Sequence, residues 1–277
     1  MKWELNKEPV ARLGSLEIKL PVLELGAGKP VLTVITGVHG DETTGLFVLK
    51  ELRDKVKEVR GVLRLIPSAN PLAQSLKTRR APTDYQDLNR SYPVKSNLLT
   101  DKAAEVLASV TRDSDFLIDI HTSKLETPLM GVLFTHSHTN SVSEEMLRVF
   151  SPKQVWVIDP VKEVKYKGCL SSYLNELGVP NMGLEINHEE SFNSKEVADC
   201  VEGVERVMKR LGLLKGGFNK GKPPFYHKNS YKSDNSGLFK PLKKPFEKVK
   251  KGDLVGLLYE LPGFKKSRVS AHDDGVL

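Results

Sequence analysis

A chain of 277 residues is long enough for one large core and a small second one, and 39% hydrophobic with 28% charged residues is an ordinary globular composition, outside the disordered and fibrous classes. No run approaches the roughly 18 apolar residues of a membrane span, and the start MKWELNKEPV lacks the apolar core of a signal peptide, so the expected setting is the cytoplasm. The lysines concentrate in turns such as FKPLKKPFEKVKKGD, without interleaved aromatic stacking signals or a helix-borne arginine stripe, so the net charge of +7 argues for a solvated basic surface that attracts anions and against a nucleic-acid interface.

In chain order, β-branched and apolar enrichment predicts strands over Leu16–Leu25 and Val31–Thr36, and helical spacing follows over Thr43–Lys57. A strand at Val62–Ile66 comes next, then a helix at Asp101–Ser109 that Thr100 or Asp101 is placed to cap. Strands at Phe116–His121, Val132–Thr135, Val155–Ile158 and Met182–Ile186 alternate with helices at Ser141–Val149, Leu170–Leu177 and Ser194–Leu211. That alternation predicts an α/β fold with a central sheet flanked by helices. Cys169 and Cys200 are too few for a disulfide framework or a thiolate metal site and read as small buried hydrophobes. From about residue 214 helical periodicity disappears. The expected organisation is a catalytic α/β domain over 1–214, a linker over 215–225 and a small β-rich module over 226–277. The closing DDGVL follows a strand-like piece and leaves open pairing within that module or with a second copy in a homo-oligomer.

Chemistry concentrates where strands end. In open α/β sheets ligands bind outside the carboxyl ends of the strands, where loops converge on one crevice. The first such end is GVHGDETTG, which delivers His39, Asp41 and Glu42 on a turn that Gly37 and Gly40 make tight. DIHTS places Asp119, His121 and Ser123 at a second end, and Glu185 closes a third. Two histidines and a carboxylate are the ligand set of a catalytic zinc, and His39, Glu42 and His121 supply it. Asp119 or Asp41 is available to hold an imidazole by its other nitrogen. Glu185 suits the base that takes a proton from water. His136 and His138 form a rival pair without a nearby carboxylate.

The stretch NPLAQSLKTRRAPTDYQDLNRSYP adds Arg79, Arg80, Asn89 and Arg90. Guanidinium groups bind carboxylates bidentately, so arginines beside a metal suggest an anionic substrate with a carbonyl under attack, one arginine anchoring and another steadying the oxyanion. Arg80 reads as part of a solvated loop.

Taken together, GVHGDETTG, NPLA, TRR, DLNRSYP, DIHT and VPNMGLE resemble the succinylglutamate desuccinylase and aspartoacylase family, a branch of the zinc carboxypeptidase superfamily. The motifs occur in the family's order from about Leu32 to Glu185, and the C-terminal segment also looks like the β-rich module of these deacylases. The resemblance implies a mixed central sheet of zinc carboxypeptidase type, one zinc ion per chain on His39, Glu42 and His121, and Glu185 as general base and then acid. It also implies Arg79 as the carbonyl-polarising arginine and Asn89 with Arg90 as the grip on a small anionic N-acyl amino acid. The Tyr and Arg with which aspartoacylases read aspartate have no counterpart in GCLSSYLNELGVP. Two other functions share these residues: a metallocarboxypeptidase acting on short peptides, and a non-catalytic binder of anionic metabolites. A pure binder does not need Glu185.

Overall fold

The structure, a computed structural model, describes residues 1–123, 128–135, 140–188 and 192–277, the side chains of residues 187 and 188 excepted. It divides into two compact units, Met1–Phe225 and Tyr226–Leu277.

Among the described residues, one sheet of nine strands dominates. The strands are β1 (Glu4–Leu13), β2 (Leu16–Ala27), β3 (Val31–Thr36), β4 (Gly61–Ile66), β5 (Phe116–Ser123), β6 (Met130–Phe134), β7 (Gln154–Ile158), β8 (Asn181–His188) and β9 (Phe225–His227). Their order is β1-β2-β4-β3-β5-β8-β6-β7-β9. Neighbours β4, β3, β5 and β8 run parallel, whereas β1 with β2, β2 with β4 and β6 with β8 are antiparallel, so the sheet is mixed. The helices are α1 (Thr44–Lys55), α2 (Pro71–Ser75), α3 (Leu99–Thr111), α4 (Asn140–Phe150), α5 (Leu170–Glu176) and α6 (Ser194–Leu211).

Period-two alternation along β5 explains why helices cover both faces. Phe116, Ile118 and Ile120 enter one buried cluster with Val48 and Leu52 of α1, Leu147 of α4 and Val204 of α6. Leu117 enters the other, with Ala104 and Leu107 of α3 and Leu170 and Leu174 of α5. Asp119 and His121 therefore lie on the α3 and α5 face, on a strand whose other side is anchored in apolar core. Cys200 belongs to the first cluster, and both thiols are free and buried.

The sequence reading needs two corrections, a strand it missed and a helix cap it misplaced. The hairpin partner β1 carries no apolar alternation, because most of its residues are exposed and only Val10 packs against the core. It is an edge strand with a register shift at Pro9, where a proline is tolerated. The second correction concerns α3, which starts at Leu99, so Thr100 and Asp101 lie inside its first turn. The cap is tertiary: Asp84 accepts from Thr100 N at 2.8 Å and from its hydroxyl at 2.6 Å, while Asp101 reaches back to Ser96 N at 3.0 Å.

In the second unit, β10 (Gly237–Pro241), β12 (Leu254–Glu260) and β13 (Lys265–Ser270) form an antiparallel sheet. There β11 (Lys248–Val249) pairs with β14 (Gly275–Val276), so the C-terminal strand pairs within its own unit. Among the described residues, no helix is long and apolar enough to cross a membrane.

Candidate active site

His39 and Glu42 come off the end of β3 on a turn closed by the backbone bond from Glu42 N to His39 O, 3.3 Å. The turn packs so closely on α2 that a Cβ at Gly40 would stand 2.1 Å from the carbonyl carbon of Ala73, and Gly37 has a φ of +73°, so both positions demand glycine. His121 arrives from the end of β5, one strand over.

The Glu42 carboxylate sits between the two imidazoles. Its Oε1 lies 2.7 Å from His39 Nδ1 and its Oε2 lies 2.9 Å from His121 Nδ1. Thr122 N donates to Oε2 at 3.2 Å. One donor atom from each of His39, Glu42 and His121 falls within 4.8 Å of the others.

The outer nitrogens are also committed. His39 Nε2 is 3.2 Å from Asp87 Oδ1, and His121 Nε2 is 3.0 Å from Asp119 Oδ2. A separate buried carboxylate thus holds each imidazole and turns its Nδ1 inward, which is the arrangement that fixes tautomer and direction at metal-binding histidines. Asp119 takes this role as its place on the strand allows. Asp41 does not: its Oδ1 is buried without a hydrogen-bond partner among the described residues, and Asp87 does the work.

The electrostatics follow from this packing. Burial opposes charge on His39 and His121, yet Asp87 and Glu42 around the first, and Asp119 and Glu42 around the second, raise both imidazoles above their ordinary range. Burial would likewise protonate Glu42 and Asp87, but the facing imidazoles, joined at Asp87 by Arg79 and Arg90, hold both carboxyls well below theirs. Two imidazoles among three buried carboxylates form a pocket that favours positive charge. A divalent cation fits this donor set, and His₂Glu is a known catalytic zinc set.

Arginines border the cluster. Arg79 Nη1 donates to Glu42 at 3.3 Å and Nη2 to Asp87 at 3.4 Å, its loop tied to the turn by Gly40 N donating to Thr78 O at 3.0 Å. Arg80 is exposed and its Nη1 faces Tyr85 O at 3.5 Å. Asn89 is 8% exposed and locked in place. Its N donates to Asp87 Oδ1 at 3.0 Å, its Oδ1 accepts from Leu170 N at 2.9 Å, and its Nδ2 lies 3.4 Å from His121 Nε2. Arg90, on the short 3-10 turn Leu88–Arg90, is exposed, with its guanidinium over the Tyr166 ring at 5.4 Å.

Glu185 on β8 is the register partner of His121 and is half-buried, so the two stand side by side on one face of the sheet. The structure therefore gathers His39, Glu42, His121, Arg79, Asn89, Arg90 and Glu185 at one edge. His136 and His138 lie outside the described residues. Asp87 is the residue that sequence reasoning missed, although it opens the DLNR motif two positions before Asn89.

Residues 28–211 match the family described as "Succinylglutamate desuccinylase/Aspartoacylase catalytic domain". The chain belongs to that family. It is accordingly a deacylase, an amide hydrolase. It is 22% identical to the N-alpha-acetyl-L-2,4-diaminobutyric acid deacetylase of Halomonas elongata, over 95% of this chain and 81% of that one. The product-bound ectoine utilization protein EutE (DoeB) of Ruegeria pomeroyi has a similar fold, with a TM-score of 0.84 at 22% identity, covering 99% of this chain and 89% of that one. A succinylglutamate desuccinylase/aspartoacylase from Rhodobacter sphaeroides matches with a TM-score of 0.82 at 21% identity, covering 99% and 88%.

Proposed function

We propose that this deacylase holds one zinc ion on His39, Glu42 and His121 and hydrolyses the amide of a small N-acyl amino acid that keeps a free carboxylate. The observation that carries the zinc assignment is the donor set itself, two Nδ1 atoms converging on one carboxylate while Asp87 and Asp119 hold the outer nitrogens. When bound, zinc supplies Lewis acidity and a lowered pKa for water.

The chain's own residues divide the remaining work. Glu185, beside His121, takes a proton from the attacking water and hands it to the leaving amine nitrogen. Arg79, already aimed at the cluster, stabilises negative charge developing on the carbonyl oxygen. Arg90, exposed and cationic, binds the substrate carboxylate, and the buried Asn89, whose backbone N donates to Asp87, ties that arginine's backbone to the carboxylate that holds His39, so that grip and reacting centre keep a constant spacing. On this reading the enzyme works in the cytoplasm on free metabolites. The Halomonas relative's name makes Nα-acetyl-L-2,4-diaminobutyrate the first compound to assay.

The test is a hydrolysis screen of N-acetyl, N-succinyl and longer N-acyl amino acids against short peptides, with zinc added and after chelation. Zinc-dependent release of free amino acid from N-acyl compounds is expected. Activity confined to peptide C-termini would replace this reading with a carboxypeptidase.

A further inference from the structure

Asn89 and Arg90 are held by one short piece of chain, Tyr166–Leu170, that enters from the loop between β7 and α5. Leu170 N donates to Asn89 Oδ1 at 2.9 Å, and Tyr92 N, two residues beyond Arg90, donates to Gly168 O at 3.2 Å. The Tyr166 ring lies under the guanidinium, and Arg90 Nη1 donates to Cys169 Sγ at 3.1 Å. The two strands of chain approach so closely that a Cβ at Gly168 would stand 2.7 Å from Arg90 O.

We propose that Cys169 is a positioning residue for substrate binding: its neutral thiol fixes the Arg90 guanidinium toward the substrate carboxylate, and Gly168 sets the backbone spacing that lets it do so. This rests on the reading that Arg90 takes the carboxylate. An arginine that must also lose rotamer freedom on binding gives up affinity, so holding it beforehand preserves affinity. The holder has to be weak in one respect. An aspartate or glutamate at this position would pair with Arg90 and compete with the substrate, whereas a thiol accepts a hydrogen bond and leaves the cationic charge uncompensated. Burial pushes the Cys169 thiol up to about 11, so it stays uncharged at neutral pH and is not a nucleophile. The Asn89 carbonyl, which accepts from the same Nη1 at 2.5 Å, and the ring of Tyr166 are the other uncharged supports.

Steady-state kinetics on the zinc-loaded full chain, with N-acetyl-L-amino acids and their α-carboxamides as paired substrates, tests the proposal. Cys169→Ala is expected to raise KM for the carboxylate about tenfold with kcat nearly unchanged, and to narrow the preference for carboxylate over carboxamide by the same factor. Cys169→Ser, which keeps a neutral acceptor, restores both. Gly168→Ala displaces Arg90 without touching the thiol and is expected to raise KM similarly. Calorimetric binding of the same N-acetyl amino acids to the zinc-loaded Glu185→Gln background gives these losses without turnover. Arg90→Ala is the reference and should abolish the carboxylate preference. If it does not, the assignment of the carboxylate to Arg90 fails. If Arg90→Ala abolishes the preference while Cys169→Ala and Gly168→Ala bind and turn over like wild type, the positioning role alone is overturned. Equal losses in Cys169→Ala and Cys169→Ser, falling on kcat, would also overturn it.

Discussion

His39, Glu42 and His121 stand at the ends of β3 and β5, buried and cross-connected by carboxylates, whereas Arg79 and Arg90 hang from the long connection between α2 and α3 with part of each guanidinium facing solvent. The ligand set spends its hydrogen-bonding capacity inside the protein. The arginines keep some in reserve. Strand ends anchored in a double-faced core can hold groups to the tolerance that metal chemistry needs, while a loop can vary its side chains without disturbing the sheet.

The contrast can be broken most severely at the ligands. His121→Ala is expected to lose the metal and reduce turnover roughly thousandfold or more, read by metal analysis and kcat. If that variant keeps its metal, the cluster is not the site. Glu185→Gln should retain the metal while kcat falls about 10²- to 10⁴-fold, so unchanged turnover would remove it from the mechanism. Asp87→Asn and Asp119→Asn should each weaken metal affinity about 10- to 100-fold in a chelator competition, testing whether the outer carboxylates hold the imidazoles. On the loop side, Arg90→Ala should raise KM at least about tenfold with metal content intact, and a parallel loss of metal would show that the two halves are not separable.

The smallest effect is expected at a distant control. Hydrogen bonds from Arg210 and Lys220 hold the Glu145 carboxyl down to about 2. A carboxyl lowered in the folded state contributes stability above its unfolded value of about 4.3, and that contribution fades as pH falls toward about 2. Glu145→Gln should therefore cost no more than about 1 kcal/mol at neutral pH, as expected for a partly exposed pair. The cost should vanish in acid unfolding curves near pH 2, with kinetics and metal content unchanged throughout.

Much of this site was legible because its parts are local. HxxE is a turn, DIHT a strand end, and both lie beside apolar runs whose periodicity declares strands. Asp87 was not legible, since its contact with His39 spans 48 residues and nothing in QDLNR says which of its polar groups turns inward. The edge strand β1 escaped because it buries almost nothing, and the α3 cap because its carboxylate comes from Asp84, 16 residues before Thr100.

By itself the sequence determined the strand and helix alternation, the three polar strand ends and the family, because each is written in patterns a few residues long. Only the tertiary structure decided that Asp87 and not Asp41 holds His39, that Asp84 caps α3, and that Gly168 and Cys169 lie against Arg90. Those choices are made between segments far apart in the chain, where a side chain's partner is set by sheet order and close packing and leaves no periodic trace.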